Sequence, residues 1–297
     1  MRRALSLFLM VGLAACAAGQ GDSTTDSGGA GPGSGAGGPG AGGDSTSSMG
    51  GGFATSTSTG GGGPMGTPEV FGHSDVQLYK LNPDTKAVGV VGPFSGCDDD
   101  VIDIALDKDS NLYGTTYGGL YEIDRKTAVC TLIKSGSYPN SLSFVPAGTL
   151  DPNVEALVGF IDDQYVRINS TTGAVTNVGQ PWNNDFVSSG DVVSVKDGPT
   201  YLTIKDAPGS GNTTCGDCLV QIDPKTGSIL TNYGSIGYAK VFGTAFWAGS
   251  VYGFTDAGQL FEMKVNTGSV VTTPISTPPG LKFYGAGSTT SAPPVPQ

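Results

Sequence analysis

Leu120-Tyr121-Glu122-Ile123-Asp124-Arg125-Lys126-Thr127 is an alternating apolar run that ends in an Asp-led turn. Four further copies stand in the chain: Leu78-Tyr79-Lys80-Leu81-Asn82-Pro83-Asp84-Thr85, Tyr165-Val166-Arg167-Ile168-Asn169 with Thr172-Gly173, Leu219-Val220-Gln221-Ile222-Asp223-Pro224-Lys225-Thr226-Gly227, and Leu260-Phe261-Glu262-Met263 with Thr267-Gly268. Successive copies start 42, 45, 54 and 41 residues apart. Alternation with a period of two makes each run a strand. Asn or Asp at its end favours a tight turn, because the short polar side chain bonds the backbone just ahead of it. A recurrence every ~40–50 residues is the spacing of propeller blades.

Each copy is followed by a second strand, as in Ala87–Val91, Val129–Ile133, Val175–Val178 and Ile229–Tyr233. Upstream lies a strand of small and aromatic residues, as in Leu112-Tyr113-Gly114, Ala156–Phe160, Tyr201–Ile204 and Val251-Tyr252-Gly253-Phe254. Further upstream is an apolar strand: Val101–Leu106, Leu142–Val145, Val192–Val195 and Val241–Phe246. Four antiparallel strands make one unit. A lone four-stranded sheet leaves both faces in water, so the units must stack around an axis. The first unit, from Val70, lacks an innermost strand, and Lys282-Phe283-Tyr284-Gly285-Ala286-Gly287-Ser288 has no unit behind it. Pairing the two completes a fifth blade and removes two exposed edges. The expectation is an all-β fold: a propeller of five four-stranded blades over residues 68–290, with 291–297 a disordered tail. The repeat resembles the broad superfamily that includes NHL and YVTN propellers. That resemblance implies architecture and no particular activity.

The chain begins with basic Met1-Arg2-Arg3, an apolar run from Ala4 to Leu13, and Leu13-Ala14-Ala15-Cys16. About ten apolar residues are too few to span a ~30 Å hydrocarbon core, which makes the segment an export signal. Leu13-Ala14-Ala15-Cys16 resembles the lipobox of bacterial lipoproteins. The resemblance implies cleavage after residue 15, a lipid on Cys16, attachment to a membrane of the cell envelope and, with Ala17 following, sorting to the outer membrane. Residues 16–67 carry Gly, Ser, Thr, Ala, Pro and Asp with no apolar pattern. Nothing there offsets the entropy of ordering, so the segment is expected to be a disordered tether.

Without residues 1–15 the chain holds 13 basic and 26 acidic side chains, a net charge near −13. That balance excludes a nucleic-acid partner, whose phosphates require Lys and Arg. Asp outnumbers Glu, 22 to 4, as turns and strands demand and helices do not. Export places Cys97, Cys130, Cys215 and Cys218 in a disulfide-permissive compartment. Cys215-Gly216-Asp217-Cys218 is expected to clamp its loop. Cys97 and Cys130 are then left for each other, although their inferred places lie at opposite ends of one blade.

Loops between blades share a face with the loops joining second and third strands. That face gathers Asp98, Asp99, Asp100, Tyr138, Asp162, Asp163, Trp182, Asn183, Asn184, Asp185 and Tyr238. Rings beside carboxylates and amides suit a sugar, and loop carboxylates also suit Ca²⁺. The competing view is a solvated acidic rim with Trp182 packed between blades. Asp107-Lys108-Asp109-Ser110-Asn111 begins like an EF-hand loop, but Leu112 stands where Gly is needed and Gly118 where Glu should be, so a hairpin turn is expected. No catalytic set, metal site or cofactor is assigned. The chain has one histidine, His73, and no nucleophile-elbow motif. Carboxylates in the channel would suit a glycosidase, and the innermost strands offer Asp103 and Asp191. The expected function is therefore an envelope-tethered binding or scaffold protein, its partner a glycan or a protein. The alternatives are a carbohydrate-active enzyme and a purely structural surface protein. Two carboxylates converging within ~5–10 Å would favour the enzyme.

Overall fold

A computed structural model describes residues 67–183 and 185–296. The export signal, Cys16, nearly all of the tether, Asn184 and Gln297 lie outside the described residues. The described chain forms five four-stranded antiparallel sheets. The first blade comprises β1 (Val70–His73), β2 (Gln77–Leu81) and β3 (Val88–Pro93). The second runs β4 (Val101–Leu106), β5 (Leu112–Thr116), β6 (Gly119–Ile123) and β7 (Cys130–Ser135). The third is β8 (Leu142–Val145), β9 (Ala156–Ile161), β10 (Gln164–Ile168) and β11 (Val175–Asn177). The fourth is β12 (Phe186–Ser194), β13 (Thr200–Asp206), β14 (Cys218–Ile222) and β15 (Ile229–Ser235). The fifth is β16 (Val241–Trp247), β17 (Ser250–Thr255), β18 (Leu260–Asn266) and β19 (Ser269–Ile275). β20 (Gly285–Ser288) returns to β1 and gives the first blade its innermost strand, with Val70 opposite Ser288 and His73 opposite Gly285. The ring is thus closed by pairing the two ends of the domain.

Alternation explains the packing. Val192, Leu202 and Val220 of the fourth blade face the third, while Val193, Tyr201 and Leu219 face the fifth. Period-two side chains supply both faces of every sheet. Five apolar clusters result, one between each adjacent pair of blades.

β12 starts earlier than the periodicity suggests. Its register shifts between Ser188 and Val192, and Gly190 at that bulge lets the Val241 carbonyl approach where a Cβ would stand. The expectation of a disordered tail needs correction for its first residues. Lys196 N–H donates to Thr290 O and Ala248 N–H to Pro293 O, both at 2.8 Å, and Ser291 Oγ donates to Lys108 O at 3.1 Å. Thr290 also bonds Glu155, and Ala292 is buried. The tail crosses the first-to-second-strand turns of blades two to five, where it meets backbone groups that composition does not reveal.

Both disulfides form, Cys97–Cys130 and Cys215–Cys218. The first looked geometrically awkward in the sequence because its cysteines belong to opposite ends of a flat sheet. The blade is twisted, so its outer strand leans across to the preceding linker. Ser95 N–H donates to Ala128 O and accepts back from Cys130 N–H through its own carbonyl. The same clasp recurs with other chemistry. Tyr138 Oη donates to Gly173 O at 3.0 Å, and Trp182 Nε1–H to Gly227 O at 3.0 Å. Ala128, Gly173 and Gly227 are equivalent turn residues, all at positive φ. Each of these linkers therefore hooks onto the last turn of the next blade.

Candidate functional site

A cavity of about 660 Å³ opens at the end of the channel where the innermost strands begin. Its floor is set by the blade repeat. Ile102, Asn140, Gly190, Phe242 and Tyr284 occupy equivalent positions in or just before each innermost strand, and all line it. Tyr117, Tyr138, Asp162, Lys240 and Asp256 form its wall. Tyr117 is 70 % exposed. Phe242 and Tyr284 meet edge to face at 6.4 Å.

The Lys240 side of the wall is built by the Cys-x-x-Cys loop. Asp217 lies inside the Cys215–Cys218 clamp. Its carbonyl accepts from Ile236 N–H at 2.9 Å, and its carboxylate from Lys240 N–H at 2.8 Å. Burial pushes the Asp217 carboxyl up. Lys240 Nζ then reaches Asp256 at 2.6 Å, and that bond raises the ammonium. Tyr238 stacks flat on Phe261 at 3.8 Å.

Of the residues singled out in the sequence, Tyr138 and Asp162 line the cavity. Asp162, in the β9–β10 turn, has φ 54°. Asp98 is turned into its own blade: the Tyr121 hydroxyl and Thr116 Oγ1, the latter at 2.8 Å, hold its carboxyl below the usual range. Asp99, Asp100, Asn183 and Asp185 are exposed on their loops, and Asp163 is half-buried. Trp182 packs on Phe160, ring centroids 5.1 Å apart. Tyr117, Phe242, Tyr284, Lys240 and Asp256 were not singled out. Aligning the repeats on Asp103 and Asp191, and taking the residue before each equivalent position, would have picked out Phe242 and Tyr284.

Among the described residues no three His, Cys, Asp or Glu side chains come together as a metal site. Asp107 Oδ1 accepts from the Asp109 and Asn111 N–H groups, both at 2.9 Å, so the EF-hand-like stretch is the β4–β5 turn.

One residue deeper than the floor, the equivalent positions are Gly285, Asp103, Ser141, Asp191 and Gly243. Asp103 and Asp191 are fully buried, and each carboxyl acts on the other. They use the same device. Asp103 accepts from Ile104 N–H at 2.8 Å and from Leu142 N–H of the next blade at 2.6 Å. Asp191 accepts from Val192 N–H at 2.7 Å and from Thr244 N–H of the next blade at 2.8 Å. Burial pushes both carboxyls well above the usual range. The two carboxyls do converge, but out of solvent. A glycosidase pair stands about 5–9.5 Å apart with substrate between.

His73, on β1, enters this layer above Gly285, where a Cβ would overlap both His73 Nε2 and Asp103 Oδ1. Nδ1 lies 2.7 Å from Ser74 O, so it carries the proton and donates. Nε2 keeps a lone pair and has no hydrogen-bond partner among the described residues. Burial holds the imidazole down at about 4.

No protein-family model and no curated protein matches the chain. Among solved structures, it is similar to the hydrazine synthase of Kuenenia stuttgartiensis, with 12% identity over 67% of this chain and 60% of that one, TM-score 0.38. The chain thus spans less than two thirds of that protein's length. It is also similar to a protein of unknown function from Bacteroides caccae, with 13% identity over 74% of this chain and 98% of that one, TM-score 0.42. The class rests on the chain's own strand pairing: a five-bladed β-propeller.

Proposed function

We propose that this is a lipid-anchored binding propeller of the cell envelope, held by Cys16 on its tether, that takes a neutral glycan into the cavity at the channel mouth. The cavity carries this reading. Tyr117, Tyr138, Phe242 and Tyr284 offer ring faces and edges beside Asp162, Asp256, Lys240 and Asn140. Flat apolar rings set among hydrogen-bonding groups match a sugar, which has apolar C–H faces and a polar rim. The two disulfides suit an oxidising compartment. The chain enters the domain at Thr67, whose carbonyl accepts from Ser110 Oγ at the β4–β5 turn, the end away from the cavity. Thr67 and the cavity mouth thus lie at opposite ends of the domain.

The test is calorimetric titration of the full chain carrying Cys16→Ala with neutral envelope oligosaccharides. Saturable binding that Tyr117→Ala abolishes and Trp182→Phe leaves intact is expected. No heat from any oligosaccharide refutes the glycan reading. Incorporation of labelled palmitate, lost in Cys16→Ser, tests the anchor.

A further inference from the structure

The axial layer beneath the cavity is independent of any ligand. Asp103 and Asp191 come from alternate blades, and neither touches solvent. Between them they tie two other innermost strands. Asp103 takes Leu142 N–H of β8, while Asp191 takes Thr244 N–H of β16. Their carboxyls also act on each other, and two carboxylates close together without water repel strongly. Facing groups offer no compensating charge. β8 and β16 present Ser141, Gly243 and Thr244, and β20 presents Gly285 and Ala286. β1 presents His73, whose ring donates to Ser74 O and is backed by Asp75. Among the described residues no Lys or Arg acts on either carboxyl.

We propose that Asp103 and Asp191 form a proton-binding site at the propeller axis, holding one proton between them at neutral pH, and that this acid–carboxylate bond joins the second and fourth blades across the axis. The proton is taken from solvent on folding and is shared by the two carboxyls. His73 stays neutral above them.

The signs follow from proton counting. The unfolded carboxyl titrates near its ordinary value of 3.8, and the folded pair does so well above it. The pair's stabilisation is complete at acid pH and is lost as pH rises towards the folded value. In that window the folding constant falls about tenfold per pH unit. His73 has the opposite sign. Its folded value is about 4 against 6.5 unfolded, so its contribution is present above 6.5 and lost as pH falls through about 4. The two slopes cancel between about 4 and 6.5, and the pair's slope stands alone above.

The experiment uses the full chain carrying Cys16→Ala, without a histidine tag, so that His73 is the sole imidazole. Urea unfolding at successive pH values gives the folding constant, infrared spectra at pH 7 report protonated carboxyl, and ¹⁵N spectra report His73. The expected result is a folding constant that falls with pH above 6.5 relative to Asp103→Asn, a carboxylic-acid band at pH 7 that this variant lacks, and a neutral imidazole protonated at Nδ1. An imidazolium at pH 7, or the absence of an acid band from the unsubstituted chain, overturns the proposal. Equal pH slopes in the two chains overturn it as well. If Asp103→Asn does not fold, Asp191→Asn takes its place, and the spectra of the unsubstituted chain still decide.

Discussion

Gly285→Ala tests the closure of the ring most directly. Gly285 sits on the closing strand opposite His73. An added Cβ would stand 3.1 Å from His73 Cδ2, and closer still to His73 Nε2 and Asp103 Oδ1, inside the 3.0 Å that Cβ atoms keep. Neither neighbour can swing away. His73 and Asp103 are both fully buried, and each is held by hydrogen bonds to backbone groups. Overpacking of a rigid core costs about 1–3 kcal/mol, and two immovable neighbours place this site at the upper end, about 3 kcal/mol. For a domain of this size that lowers the melting temperature by roughly 6–12 °C. Urea unfolding of the full chain is the assay, run as a cycle with His73→Ala and the double variant. If the imidazole is the main obstacle, truncating it relieves the added methyl, and the double variant is more stable than additivity predicts by about 1.5 kcal/mol. Additivity within about 0.5 kcal/mol would refute the stated contact, and a Gly285→Ala chain as stable as the original would refute the closed axial layer.

The two disulfides are expected to differ in kind. Cys97 and Cys130 are 33 residues apart and Cys215 and Cys218 only 3, so loop entropy assigns about 3.7 and about 1.6 kcal/mol to them. Replacing each pair by Ala and measuring urea unfolding should show the long-loop pair to matter more for stability. An equal or reversed order would refute the entropic account. The short clamp positions Asp217, which holds Lys240 at the cavity. Its loss should therefore weaken glycan binding, read by calorimetry, more than loss of Cys97–Cys130 does. Trp182→Phe removes the indole bond to Gly227 O and should cost about 1 kcal/mol in urea unfolding. Any larger effect on ligand affinity than on stability would place Trp182 in the binding face after all.

Strand order was legible in the sequence because alternation and turn chemistry are local. The run ending at Asp124 is a strand followed by a turn whatever surrounds it, and a fivefold repeat leaves few ways to bury both faces of each sheet. The missing first strand and the orphan Gly285–Ser288 segment likewise announced their own pairing. The cavity was legible only in part. Tyr138 and Asp162 were found because they lie on loops of the right face. Tyr138 and Trp182, however, also donate to turn carbonyls of the next blade, and blade twist alone brings those groups within reach.

Residue identity by itself determined the blade, the number of blades and the closure, since each follows from period, spacing and unpaired ends. Tertiary structure decided which blade neighbours meet. Twist carried Cys130 to Cys97, and the ring placed Phe242 and Tyr284 in one cavity. It also brought Asp103 and Asp191, 88 positions apart in the chain, together at the axis. Such meetings depend on how whole sheets are rotated about a common centre, and no local pattern of side chains records that rotation.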